Sequence, residues 1–182
     1  VIHHDPRLLE RLDALPREPF DGDTFRATRL HLDPRAGSYN GGRWMVPDAA
    51  AVLYTSLERE GALAEIAFHW MQLTPRPTKP VQLHCLRVAA RRTLRLLRAD
   101  LAALGVPESV YAGVNLPATQ AIGAAVEHLG CDGLIAPSAR WPCENLMLFP
   151  DRLGGDAALQ VARSETIDWL AWAEAKGLNK AD

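Results

Sequence analysis

The stretch from Gly41 to His69 constrains this chain most. Gly41-Gly42-Arg43-Trp44 opens it, the apolar run Val52-Leu53-Tyr54-Thr55-Ser56 follows, and a helix-like segment carrying Glu65 ends it. Adjacent glycines let main chain approach a neighbour closely. The stretch therefore predicts a turn, a cation, an aromatic on a strand and a carboxylate on a helix in quick succession. Such a set suits a phosphate-bearing ligand with a positively charged ring. Spacing alone does not name that ligand.

The rest of the composition is that of an ordinary core-forming chain. It has 182 residues, 48% hydrophobic and 23% charged, with a formal net charge of -2. A single soluble globular domain is expected. No polybasic footprint points to nucleic acid or a membrane surface. The apolar runs are too short to span a bilayer and no segment resembles a leader, so a cytoplasmic protein is expected. Cys85, Cys131 and Cys143 form no Cys-x-x-Cys pair, which argues against a disulfide framework or a structural zinc site.

Three segments are expected along the chain: a helix and tether over 1–20, a catalytic unit over 21–150, and a helical extension over 151–182. Asp5, Pro6 and the leucines at 8, 9, 12 and 15 predict a short first helix. His3 and His4 read as a frayed end. Asp21-Gly22-Asp23 reads as a turn before a strand at Thr24–Arg29. On that strand Arg26 and Arg29 point to opposite faces.

The spacing of Leu63, Ile66, Ala67 and Trp70 predicts a helix over Arg59–Gln72, with Glu65 and His69 together on an adjoining face. Spacing alone reads Glu65 as a solvated helix carboxylate, and a Glu65–His69 metal pair lacks further ligands. Strands are expected at Val81–Val88 and Thr93–Leu97. Arg87, Arg91, Arg92, Arg95 and Arg98 form a basic cluster read as a solvated edge. A helix over Ala118–Leu129 ends at Gly130. Strands follow at Cys131–Ala136 and Asn145–Phe149, leaving Ser138 at a strand end, where it reads as a turn residue bonding its own backbone. Ser164 and Glu165 predict the start of a last helix that ends at Gly177.

In this order the motifs resemble the RES-domain family, named for an Arg, a Glu and a Ser. The resemblance runs from about Phe25 to Pro150. It is carried by Phe25-Arg26, Gly41-Gly42-Arg43-Trp44, Leu53-Tyr54-Thr55-Ser56, Ala64-Glu65, Gly133-Leu134-Ile135-Ala136-Pro137-Ser138-Ala139-Arg140 and Asn145-Leu146. It implies a single-domain α+β fold, ADP-ribosyltransferase-like, of small mixed and antiparallel sheets with flanking helices. It also implies a toxin that consumes NAD as substrate, without a metal, and is held inactive by an Xre-like antitoxin. Family members hydrolyse or phosphorolyse NAD, or transfer ADP-ribose to a protein. Inorganic phosphate and a homodimer within a larger toxin–antitoxin complex belong to the same set of expectations.

The resemblance places Glu65, Arg43, Tyr54 and Ser138 in the catalytic set. Arg26, Gly42, Arg43, Trp44, Tyr54, Ser56 and Asn145 fall in the NAD-binding set. The chemistry of those side chains agrees. Cleavage of the nicotinamide–ribose bond passes through an oxocarbenium-like state that a carboxylate stabilises. An aromatic ring suits the cationic nicotinamide, and an arginine fork suits the pyrophosphate. Ser138 is expected to orient Glu65 or the ribose, with Asn145 shaping the same wall. The rivals are a catalytically silent NAD- or antitoxin-binding module and a toxin acting on RNA.

Overall fold

The computed structural model describes residues 3–114 and 116–178. Its centre is a pair of long antiparallel strands, β1 (Arg17–Arg29) and β3 (Val81–Arg95), in register from Arg17 opposite Leu94 to Arg29 opposite Val81. The predicted turn at Asp21-Gly22-Asp23 is instead strand, facing Ala89, Val88 and Arg87. Two forces override the local turn signal. The Phe20 ring lies against Gly22, and Arg87 forms ion pairs with Asp21 and Asp23 across the strands. The expected tether up to residue 20 is likewise not one, since Arg17 already opens β1. Its guanidinium donates to the carbonyls of Leu12 and Asp13 at the end of the first helix, α1 (Pro6–Asp13).

The break expected within Val81–Leu97 is a bulge rather than a gap. Glu18 faces Thr93 but Phe20 faces Ala90, so β3 carries one extra residue there. Asp132 supplies the missing partner: its Oδ2 accepts from the backbone N–H groups of Arg91 at 2.6 Å and Arg92 at 3.1 Å.

Three shorter strands and four helices follow in chain order. β2 (Leu53–Ser56) leads into α2 (Arg59–Met71), close to the predicted helix. After β3 come α3 (Arg98–Ala103), the short turn α4 (Glu108–Tyr111) and α5 (Pro117–His128). Gly130, at φ +75°, ends that segment as expected. β4 (Gly133–Pro137) and β5 (Glu144–Leu148) form a hairpin.

The tail departs from expectation. Ser164 and Glu165 lie in β6 (Leu159–Ile167), which pairs antiparallel with Val81–Val88 of β3. The last helix, α6 (Trp169–Ala175), starts later and is capped by Asp168, whose carboxylate accepts from Ala171 N at 3.0 Å. The segment beyond 150 is therefore part strand, because the exposed backbone of β3 needs a partner along that edge.

The sheet runs β1-β2-β5-β4-β3-β6, and β1 also pairs with β3, so five strands close on themselves with β6 outside. The α+β single-domain expectation is met, with the sheets joined into one. Leu53, Leu86, Val88, Ile135, Leu146 and Leu148 fill the interior of the closed part. α1 and α5 cover one side through Leu12, Ile122 and Val126, and α2 and α6 cover another through Leu63, Trp70 and Trp169. Within the described residues no helix is long and apolar enough to cross a membrane.

Candidate active site

A cleft of about 500 Å³ opens where β1, β2, α2 and the segments around Tyr111 and Arg140 meet. Glu65 stands in it, projecting from the half-exposed face of α2 whose opposite face buries Leu63, Ala67 and Trp70. Glu65 Oε1 accepts from Ser138 Oγ at 2.9 Å and from Asn145 Nδ2 at 2.9 Å. Among the described residues no hydrogen bond reaches its Oε2.

The two donors are fixed from behind. Ser138, 1% exposed, accepts the N–H groups of Arg140 at 3.1 Å and Trp141 at 3.3 Å, so its own hydrogen is left for Glu65. It thus fills the turn-residue role and holds the carboxylate at once. Asn145 sits on β5 between Ser56 of β2 and Ala136 of β4. Its Oδ1 is buried with no partner among the described residues.

The glycine turn reaches the cleft from the other side. Gly42 N donates to Met45 O at 2.9 Å, and Gly41 adopts φ +76°, a conformation that disfavours a side chain. The space above Gly42 is filled by the Tyr54 phenol, since a Cβ there would lie 2.6 Å from the hydroxyl. Tyr54 in turn accepts Trp44 N–H at 3.2 Å, and burial raises its pKa to about 12. α5 supports the turn, as Gln120 Nε2 donates to Gly42 O at 3.0 Å and Gly123 packs directly on the Trp44 carbonyl.

Arg43 crosses to the end of α4 and the turn after it, donating to Tyr111 O at 2.8 Å and Gly113 O at 3.0 Å, with its guanidinium 5.0 Å from the Tyr111 ring centroid. Arg26 lines the cleft while bonding Pro34 O and Ala36 O, whereas Arg29 is exposed on the other face. Glu65, Arg43, Tyr54, Arg26, Gly42 and Asn145 therefore share one cavity. Ser138 stands directly behind Glu65. Trp44 and Ser56 touch the wall but are 2% and 1% exposed. The Trp44 ring packs toward Tyr111, and the Ser56 hydroxyl lies 3.4 Å from the Cys143 thiol, so each mainly supports its neighbours.

The motif reading gave no role to two side chains that the fold brings in. Tyr111 is fully buried behind the cleft, its hydroxyl donating to Pro137 O, and burial pushes its pKa up. Arg140 lies over the Phe68 ring, 3.4 Å from its centroid, and donates to Ala112 O at 3.1 Å. Only the position of Arg140, two residues after Ser138, hinted at this. Of the expected arginine cluster, Arg87 and Arg95 pair with Asp21 and Glu144 outside the cleft. Arg98, at the start of α3, pairs with Glu108 and also donates to Ser138 O at 3.4 Å, with its guanidinium 5.8 Å from the Tyr111 ring centroid. His69 lines the cleft beside Glu65, and the described residues contain no group of three or more side chains suited to a metal.

The comparisons fit this architecture. No curated protein matches the chain. A chain of the crystal structure of the M. tuberculosis MbcT-MbcA toxin-antitoxin complex has the same fold, with a TM-score of 0.82 at 21% identity over 95% of this chain and 98% of that one. The RES domain model matches residues 11–170. That match runs well past Pro150, where the motif resemblance stops, and takes in β6. Covering nearly all of the chain, it makes this protein a member of the RES domain family.

Proposed function

We propose that this protein is the toxin of a toxin–antitoxin pair and that it consumes NAD by breaking the bond between nicotinamide and ribose. The observation that carries the reading is Glu65: Ser138 and Asn145 hold Oε1, no described residue bonds Oε2, and the side chain lines a cleft large enough for a nucleotide. Family membership and the likeness to a chain of a toxin–antitoxin complex add support, and they motivate an Xre-like antitoxin as partner.

In the proposed reaction the C1′–N bond breaks and both its electrons pass to the nicotinamide nitrogen, which becomes neutral. Positive charge moves to the ribose ring. The Glu65 carboxylate stabilises that charge and orients a ribose hydroxyl, a contribution that strengthens as the bond lengthens. Tyr54 stays a neutral phenol at any physiological pH and offers the leaving ring an aromatic wall. Arg43 attracts the phosphates. Water then adds at C1′ and releases a proton, or inorganic phosphate or a protein side chain takes its place.

Product analysis tests the proposal. Purified, antitoxin-free protein incubated with NAD should release nicotinamide together with ADP-ribose, its 1-phosphate or a modified protein, three products that mass spectrometry separates. Intact NAD after prolonged incubation sinks the enzymatic reading and leaves a binding module. RNA cleavage under chelation with NAD left whole would replace the substrate altogether.

A further inference from the structure

The charge of the cleft is opposite to that of the chain. The protein carries a net charge of -2, yet Arg26, Arg43 and Arg140 line the cavity against one carboxylate, Glu65. None of these arginines takes part in an ion pair among the described residues; each donates to neutral carbonyls instead. Other half-buried arginines do find carboxylates, as Arg17 does with Asp13 and Arg95 with Glu144.

Arg43 and Arg140 are also fixed to one short stretch. Arg43 holds the carbonyls of Tyr111 and Gly113, and Arg140 holds that of Ala112 between them. Three successive carbonyls thus hold two guanidiniums side by side. Their proximity leaves a second trace: burial lowers the Arg140 pKa first, and repulsion from Arg43 lowers it further, while Glu65 pulls the other way. Two like charges held together at the rim of a half-buried cavity are stabilised by an anion between them.

We infer that Arg140 is a second anion-binding residue of the cleft, gripping the phosphate next to the nicotinamide ribose while Arg43 takes the other phosphate of the dinucleotide. The assignment of Arg140 to the nearer phosphate follows from its place beside Glu65, the group proposed to face that ribose. The Arg140 backbone N–H bonds the same Ser138 Oγ that holds Glu65 Oε1, whereas Arg43 reaches in from the glycine turn on the other side. Its stacking on Phe68 fixes the plane of the fork, so both outer nitrogens keep a defined direction. The inference rests on the proposed function for the identity of the ligand and on the arginine geometry for the site.

The test uses Arg140→Gln and Arg140→Lys in the full chain, with thermal melting as a check on folding. ADP-ribose should bind Arg140→Gln about tenfold to a hundredfold more weakly than wild type, with Arg140→Lys in between. For turnover, KM for NAD and for nicotinamide mononucleotide should rise together with kcat nearly unchanged, while the rate with nicotinamide riboside stays put. Wild-type KM and wild-type ADP-ribose affinity in a folded Arg140→Gln overturn the inference alone. A loss seen with NAD but not with the mononucleotide overturns the assignment to the nearer phosphate. Arg140-dependent binding of ADP-ribose by a protein that leaves NAD whole would keep the anion site and remove the enzymatic reading.

Discussion

Ser138 Oγ donates to Glu65 Oε1 at 2.9 Å across 73 positions of sequence. The bond joins the end of β4 to the middle of α2, and it is directional because both lone-pair sides of the hydroxyl already receive backbone N–H groups. Removing the hydroxyl should therefore loosen the carboxylate without emptying its pocket. Ser138→Ala is expected to lower kcat for NAD cleavage roughly tenfold, the scale of one lost hydrogen bond to a charged group. KM should change little, because the serine touches Glu65 and not the phosphates. A KM effect larger than the kcat effect would mean that Ser138 acts on substrate binding instead.

Glu65→Gln keeps the acceptor that Ser138 and Asn145 address and removes the charge. NAD consumption should fall by at least about a hundredfold, in the range lost when a group opposing transition-state charge is neutralised. Thermal stability should stay near wild type, since the side chain is only part-buried and both of its donors keep an oxygen to address. Equal turnover in the variant would place the chemistry on another residue.

Tyr54 gives a pH-dependent prediction. Its phenol titrates at about 12 in the folded chain against an ordinary value of 10.0, chiefly because it is buried. The folded state therefore favours the neutral form. That stabilisation is complete below pH 10 and is lost as pH rises toward 12, and it amounts to roughly 2–3 kcal/mol. Denaturant titrations of wild type and Tyr54→Phe should run parallel below pH 10. Above it wild type should lose stability faster, and the gap should stop growing near pH 12. Parallel curves throughout would mean the phenol is accessible to water.

Gly123 is where α5 meets the turn that carries Arg43. A side chain there would overlap the Trp44 carbonyl, a backbone atom with no rotamer to retreat into. Gly123→Ala should cost about 1–3 kcal/mol by overpacking. It should also move the Gly42–Met45 turn, so NAD affinity drops even where the variant still folds. Unchanged affinity in a folded variant would show that α5 yields rather than the turn.

Much of the site was legible because its residues lie in short motifs kept in order. The resemblance puts Glu65, Arg43, Tyr54, Arg26 and Asn145 in one site, and one cavity holds them. Local patterns failed where distant backbone competed for the same residues. Asp21-Gly22-Asp23 has turn chemistry, yet β3 pairs through it and Phe20 covers the glycine. Ser164 has cap chemistry, yet the edge of β3 recruits it as strand. Arg140 and Tyr111 escaped for a related reason. Their roles come from carbonyls and rings on other segments, Ala112 and Phe68 for the one and Pro137 for the other, and no spacing rule encodes those meetings.

The bulge in β3 offers the sharpest stability test of that lesson. The extra residue leaves the N–H groups of Arg91 and Arg92 turned out of the β1 ladder, and Asp132, 8% exposed, accepts both through one oxygen. Its own N–H donates to Arg92 O at 2.7 Å, so side chain and backbone of one residue close the irregularity. Asp132→Ala removes the acceptor and strands two part-buried donors, which should cost about 1–3 kcal/mol. Asp132→Asn keeps one oxygen in the same place and should recover more than half of that loss, though without the charge. Chemical denaturation of the three proteins measures the series. Equal destabilisation by Ala and Asn would show that charge, not the shared acceptor, holds the bulge. If neither variant is destabilised, water can satisfy the two amides and the bulge needs no partner from β4's leading turn.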